Sequence, residues 1–287
     1  MIKLLNNFKT ALLLGGLFAL LVWVGSFWGM NGMLVAGVLA TLMNVGAWFF
    51  SDRIALMSMQ AQEVDEKTAP QLVSMVRRLA ERANLPMPRV YICPHDVPNA
   101  FATGRSPRKA AVAVTQGALR ILDERELEGV MAHELAHVKN RDTLISCVSA
   151  TVAGIFSMLA QTALFFGVPR SNGEGGGGHP LAGIAIIILG SIGAALIQAM
   201  ISRSREYVAD ADGAAIAGSP DGLMSALRKL DAMSRRIPLE NPNPAMNQMF
   251  IVEPFCGQKL TNLFATHPPT DERVAALMTL RPGRTVA

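Results

Sequence analysis

Charge is scarce in this sequence. Only 17% of its 287 residues are Asp, Glu, Lys or Arg, and 51% are hydrophobic, where a soluble domain carries about 25% charged residues. The deficit is uneven. No charged residue occurs between Lys9 and Asp52, a run of 42 positions, nor in the 27 between Asp142 and Arg170, nor in the 28 between Glu174 and Arg203. A transmembrane helix takes about 20 apolar residues, so each later run holds one span. The first run is about twice as long as the hydrocarbon layer is thick, and Asn31-Gly32 supplies turn residues near its middle. It reads as a hairpin of two spans, near 10–28 and 33–50. The two later runs are rich in Gly, Ala and Ser, which keeps burial against protein open as a competing reading. Cysteine is scarce too: Cys93, Cys147 and Cys256 are odd in number and scattered. That excludes a disulfide framework and points to a reducing compartment. No internal repeat is visible. No cleavage site separates the first apolar stretch from the second, which argues against a removed signal peptide.

Basic residues set the orientation. Segment 51–143 carries 13 Lys or Arg and the tail after residue 202 carries ten, whereas the loop near 29–32 has none and 169–180 has only Arg170. Cytoplasmic loops hold the basic excess, so both termini and both large polar segments are expected inside. The net charge of +4 then follows from topology, with no nucleic acid as partner. Four parts result: an N-terminal hairpin over 1–52, a polar segment over 53–142, a second apolar pair over 143–202, and a second polar segment over 203–287. The glycine-rich stretch 173–178 is the short extracytoplasmic turn.

Within the first polar segment, Leu72, Val73, Val76, Leu79, Ala80 and Ala83 recur at helical spacing, predicting a helix over 69–84 that stops before Pro86. Residues 89–93, 99–103 and 110–115 read as strands, the second ended by Gly104. Asp123 followed by Glu126 fits a capping box and predicts a helix to about residue 140. In the second segment, helices are expected over 203–217, 221–235 and about 271–280. The stretch 237–269 contains six prolines and reads as loop.

The most informative residues are His133-Glu134-Leu-Ala-His137. Histidines four apart on a helix lie one turn apart on one face, where both imidazoles reach the same ion. Zinc is the usual metal for such a pair, and the glutamate beside the first histidine is placed to take a proton from metal-bound water. The competing reading is an amphipathic helix with two incidental histidines. A catalytic zinc normally has three protein ligands and one open position. Glu206, just beyond the last apolar run, is the best third ligand, with His95 and His267 as rivals. Asp210 follows Glu206 by one helical turn, which suits a carboxylate that orients a liganding imidazole. The alternative for Glu206 is a solvated charged helix end.

Together these residues resemble the HtpX peptidases, membrane relatives of the CAAX prenyl protease among the gluzincin metallopeptidases. The matching elements are Asn99-Ala-Phe-Ala-Thr-Gly104, His133-Glu-Leu-Ala-His137 with Asn140-Arg-Asp142, Ser204-Arg-Glu-Tyr-Val-Ala-Asp210, and Thr266-His-Pro-Pro269 with Arg273. Their order and the four apolar spans match as well. The resemblance implies an α+β fold class: a mainly helical integral membrane protein with about four transmembrane helices, and a zincin-like metallopeptidase domain containing a small β-sheet. It implies one Zn2+ per chain on His133, His137 and Glu206, and Glu134 as general base. It further implies that the strand beginning Asn99-Ala100-Phe101 is a sheet edge beside the cleft, where an extended substrate adds as one more strand, though a plain buried strand remains the competing reading. His267 resembles the family's histidine before Pro-Pro, which implies a hydrogen bond to the reaction's oxyanion, with a capping or packing role as the competing reading. Arg273 carries less weight.

The implied function is endoproteolysis of membrane or misfolded proteins at the cytoplasmic face of the inner membrane, in quality control and stress response. The partners implied are protein substrates and the lipid bilayer. Three other readings compete. A non-proteolytic scaffold or holdase would keep a structural zinc, a zinc transporter would place its ligands inside the spans, and a prenyl-protein peptidase would have more spans.

Overall fold

The structure is a computed structural model that describes residues 2–26, 29–148, 203–234 and 268–280. It opens with two long helices, α1 (Ile2–Ser26) and α2 (Gly29–Ser58), packed as a hairpin. Among the described residues α2 is the one helix long and apolar enough to cross a membrane; the apolar stretch of α1, Thr10–Trp23, is shorter. At about 1.5 Å per residue α2 reaches roughly 45 Å, beyond the roughly 30 Å of a hydrocarbon core. Leu34, Val38, Leu42 and Val45 are exposed along it, an apolar surface suited to lipid. The hairpin turn falls earlier than Asn31-Gly32, which lie inside α2; the helix begins at Gly29, whose φ of +73° an L side chain resists. At the closed end, a Cβ on Gly25 would stand 2.4 Å from Ala36 Cβ, so a small residue is needed there. Further along, Asn44 Nδ2 donates to the Leu14 carbonyl at 2.9 Å. The expected second pair of spans falls mostly on 149–202, outside the described residues; positions 143–148 are helical.

A small mixed sheet follows. Its strands β1 (Gln62–Val64), β2 (Arg89–Cys93), β3 (Ala100–Thr103) and β4 (Ala111–Thr115) lie in the order β1-β2-β4-β3. The β2–β4 pair is parallel and the outer two pairs are antiparallel. Strand β1 is short and mostly polar, so no alternation announces it. Helices α3 (Pro70–Arg82), α4 (Gln116–Ile121), α5 (Glu124–Asn140), α6 (Arg203–Ala217), α7 (Asp221–Ser234) and α8 (Thr270–Met278) accompany the sheet, and a 3-10 helix (Pro107–Lys109) lies between β3 and β4. Leu79, Val112, Val130, Met131, Leu135 and Leu227 belong to the core that joins one sheet face to these helices. The other face, with Tyr91, Cys93 and Phe101, packs on Leu56 and Met59 at the end of α2. The α1–α2 hairpin and the sheet therefore share an apolar seam.

Helix α5 is the centre of this arrangement. Its capping box forms as the sequence predicts: Asp123 accepts from the Glu126 backbone, and Glu126 accepts from the Asp123 backbone, both at 2.9 Å. Glu126 also accepts from Ser225 Oγ at 2.7 Å and pairs with Lys229, tying α5 to α7. The two backbones touch there, since a Cβ on Gly222 would stand 2.2 Å from the Arg125 carbonyl oxygen. Burial opposes ionisation of Glu126, but Lys229, the Asp123 backbone and Ser225 outweigh it and hold its pKa below the usual 4.5. A depressed carboxylate contributes stability that is complete above its unfolded-state value and is lost as pH falls through the folded one. Replacing Glu126 by Ala removes a cap, takes the acceptor from Ser225 and leaves Lys229 with the Ile121 carbonyl but no carboxylate, at a cost of about 2 kcal/mol. Thermal unfolding of the detergent-solubilised variant should show a lower Tm at pH 7, with the gap from the parent narrowing below pH 4; equal Tm values would refute this tie.

Candidate metal centre

His133 and His137 lie one turn apart on α5 and aim at one point. Their Nε2 atoms are 3.2 Å apart, with ring planes crossing at 86°. Glu206, in the first turn of α6, brings Oε2 to 3.7 Å from His133 Nε2 and Oε1 to 3.6 Å from His137 Nε2. Bonds of about 2.0–2.2 Å to a tetrahedral zinc put ligand atoms roughly 3.3–3.6 Å apart. The three side chains therefore fit one such ion, and among the described residues they form the group able to hold a metal.

Each imidazole is held from behind. His133 Nδ1 lies 3.0 Å from Asp210 Oδ1, and His137 Nδ1 lies 3.3 Å from Asp142 Oδ2. A carboxylate on Nδ1 fixes the tautomer that leaves Nε2 free for a metal. Asp210 is one turn past Glu206, so both point the same way from α6. Asp142 arrives differently: Arg141 caps α5 in the left-handed conformation, φ 59° and ψ 34°. That bend lets the Asp142 N–H bond to the His137 carbonyl at 3.0 Å, and its carboxylate turns back onto the same histidine. The close approach of α6 to α5 depends on Gly213, where a Cβ would stand 2.9 Å from His133 Cα.

Arg273, on α8, is only 1% exposed. Its Nε and Nη2 donate to Asp210 at 2.9 and 2.6 Å, and its Nη1 is 3.8 Å from Glu206 Oε2. Burial opposes ionisation of Asp210, but the hydrogen bonds from Arg273 and His133 outweigh it and hold its pKa at about 2. Arg205 lies 3.5 Å from Asp142. Among the described residues the buried carboxylates Glu134, Asp142, Glu206 and Asp210 outnumber the guanidiniums of Arg205 and Arg273 four to two, which favours a cation at this point. Burial of His137 opposes its protonation, yet the Glu206, Asp142 and Glu134 carboxylates prevail and raise its pKa to about 9.

Glu134 is buried beside the pair of histidines. Burial pushes its carboxyl up, opposed by the two histidines and reinforced by Glu206. It also accepts a hydrogen bond from the Ala102 backbone, which places it against β3, one of the two edge strands of the sheet among the described residues. Ala100 and Ala102 pack toward the helical core, whereas Phe101 turns to the opposite face, onto Leu56 and Met59. The Phe101 ring therefore belongs to the seam with the end of α2. Asn99 precedes the strand and is already engaged through its backbone, donating to Thr115 Oγ1 at 2.8 Å and accepting from the Thr115 N–H at 2.9 Å.

The structure thus brings together His133, His137, Glu206, Asp210 and Glu134. The rival ligand His95 lies against the Met59 carbonyl at 3.0 Å, outside the group. His267 lies outside the described residues. In the sequence Asp142 stands only within Asn140-Arg-Asp142, and its contact with His137 has no local signal because nothing marks an arginine as a left-handed cap. The role of Arg273 is faint there because its partners are distant in sequence.

The family model for peptidase family M48 matches residues 66–281. A protein named Protease HtpX homolog from Burkholderia ambifaria is 52% identical over 283 residues, covering 97% of this chain and 99% of the relative. The protein of the same name from Methylibium petroleiphilum is 52% identical over 282 residues, with the same coverage. The crystal structure of S. mikatae Ste24p shares the fold with a TM-score of 0.52 at 17% identity, over 96% of this chain; the chain spans 65% of that structure's length. With identity of this level running almost end to end, the chain belongs to peptidase family M48 and is a membrane metalloprotease of the HtpX type.

Proposed function

We propose that this chain is a zinc-dependent endopeptidase that hydrolyses peptide bonds of membrane or misfolded proteins at the cytoplasmic face of the inner membrane, in protein quality control and stress response. The observation that carries the reading is the convergence of three ligand atoms on one point, with the buried Glu134 between that point and an edge strand. His133, His137 and Glu206 hold the zinc, while Asp210 and Asp142 orient the two imidazoles. When bound, the ion supplies an acidified water, of pKa about 7, and polarises the scissile carbonyl. Glu134 takes the water's proton and returns it to the leaving nitrogen. Strand β3 receives the substrate backbone as one further strand, so recognition rests more on main chain than on side chains. Its contribution through Ala100 and Phe101 is then made by backbone groups. Four spans are proposed to enclose this arrangement, with the hairpin 1–52 and the pair 143–202 in the bilayer and the segments 53–142 and 203–287 inside the cell. The surplus of Lys and Arg in those two segments supports the orientation.

Glu134→Gln should retain one zinc per chain by elemental analysis and lose 10²-fold or more in cleavage of an unfolded model protein, in line with a general base worth about 10²–10⁴. Cleavage at the parental rate would remove Glu134 from the mechanism. Asp142→Asn should weaken zinc affinity by about 10–100-fold, the usual loss when a partner behind a liganding imidazole goes; chelator competition measures it, and an unchanged affinity would leave Asp142 a structural role only. A neutral His137 is needed for ligation and its metal-free pKa is about 9, so zinc binding at pH 7 should release a proton. Calorimetry in buffers of different ionisation enthalpy should detect that proton, and buffer-independent heats would contradict it.

A further inference from the structure

Helix α2 leaves its apolar stretch at Trp48-Phe49-Phe50, and its next charges are Asp52 and Arg53. The three aromatic rings are 36%, 50% and 48% exposed. Exposed aromatics followed at once by charge mark the level where a spanning helix passes from hydrocarbon to headgroups. A second part of the chain arrives at that level. The turn between β3 and β4, residues 104–110, lays the Arg105 guanidinium 5.0 Å from the centre of the Phe49 ring, and Arg53 lies 5.9 Å from that of Phe50. In the same turn, the 3-10 helix Pro107–Lys109 exposes Arg108 and Lys109 to solvent. Among the described residues no ion pair engages Arg53, Arg105, Arg108 or Lys109, and the nearby Asp52 faces Arg89 at 3.9 Å. Four cations without a carboxylate partner thus sit beside the apolar end of α2, where phosphate oxyanions of lipid are already concentrated and long basic side chains extend toward them.

We propose that Arg53, Arg105, Arg108 and Lys109 form a docking surface for the headgroups of anionic phospholipids, and that this contact sets the height of the candidate substrate strand above the bilayer. The proposal rests on the reading of α2 as a membrane span and of β3 as the substrate edge. The turn is a stiff lever for that purpose. Gly104 has φ +122°, and a Cβ there would stand 2.4 Å from the Lys109 carbonyl oxygen. Its own carbonyl accepts from Thr143 Oγ1 at 2.7 Å, buried at the start of the next apolar run. Strand β3 ends at Thr103, immediately before this turn, and Ala102 bonds to Glu134. Headgroup contact at Arg105–Lys109 therefore acts on a strand that touches the candidate general base.

The full chain is reconstituted in phosphatidylcholine bilayers doped with spin-labelled phosphatidylglycerol or spin-labelled phosphatidylcholine. The ratio of their association constants is read from the motionally restricted fraction of the spectrum. Several-fold selectivity for phosphatidylglycerol is expected, reduced by high salt and lost in Arg105→Gln/Arg108→Gln/Lys109→Gln. The double variant Arg108→Gln/Lys109→Gln, changed only at exposed positions, should lose part of it and serves if the triple variant fails to fold. No restricted lipid at all, with release of the protein by alkaline carbonate, would overturn the spanning reading of α2 and the proposal with it. Restricted lipid without selectivity, or selectivity untouched by the variants, would overturn the docking surface alone. For its effect on the strand, KM for a membrane-tethered peptide should rise severalfold in the variants while KM for the same peptide free in solution stays unchanged. Equal changes for both would overturn the coupling.

Discussion

An imidazole presents one defined nitrogen to a metal only when its other nitrogen is held, and in this protein both histidines are held by buried carboxylates. The rest of the site depends on that constraint. Asp210 can reach His133 because α6 lies against the α5 backbone, and α6 can lie there because position 213 has no side chain. Once α6 is in that place, Glu206 completes the ligand group without a separate device, since it shares a face with Asp210 one turn away. Asp142 needs no second helix, only the left-handed cap that reverses the chain at the end of α5. One imidazole is oriented by a tertiary contact and the other by local backbone geometry.

Burying so many carboxylates is costly unless they are paired or neutralised. Arg273 meets part of that cost with two hydrogen bonds to Asp210 and a guanidinium near Glu206. It comes from α8, so the last described helix is tied to the metal centre electrostatically as well as through Val274 and Leu277 in the core. The carboxylates still outnumber the guanidiniums there, so a bound cation would add to the compensation.

The sheet is the mechanical link between site and membrane. One face packs on the helices that carry the histidines, and the other packs on the end of α2. Phe101 belongs to the second face and Glu134 touches the backbone of the same strand. The distance from the end of α2 to the site is thereby set by rigid, apolar contacts and not by a linker.

The sequence by itself determined what depends on neighbours within a turn or two of the chain. Residues four apart on a helix share a face, so His133, Glu134 and His137 were readable as a unit, as were Glu206 and Asp210; the Asp123–Glu126 cap was readable for the same reason. The uncharged runs were readable as candidate spans because hydrocarbon tolerates little else. Only the tertiary structure decided which of these local units meet. Arg273 and Asp210 are 63 residues apart, and no periodicity records such a contact. The sheet edge, the face taken by Phe101 and the polar strand β1 depend on which backbones pair, which the alternation of a few residues leaves open. The break at Gly29 in place of Asn31-Gly32 shows the same limit: turn residues mark where a chain is able to reverse, and helix packing selects where it does.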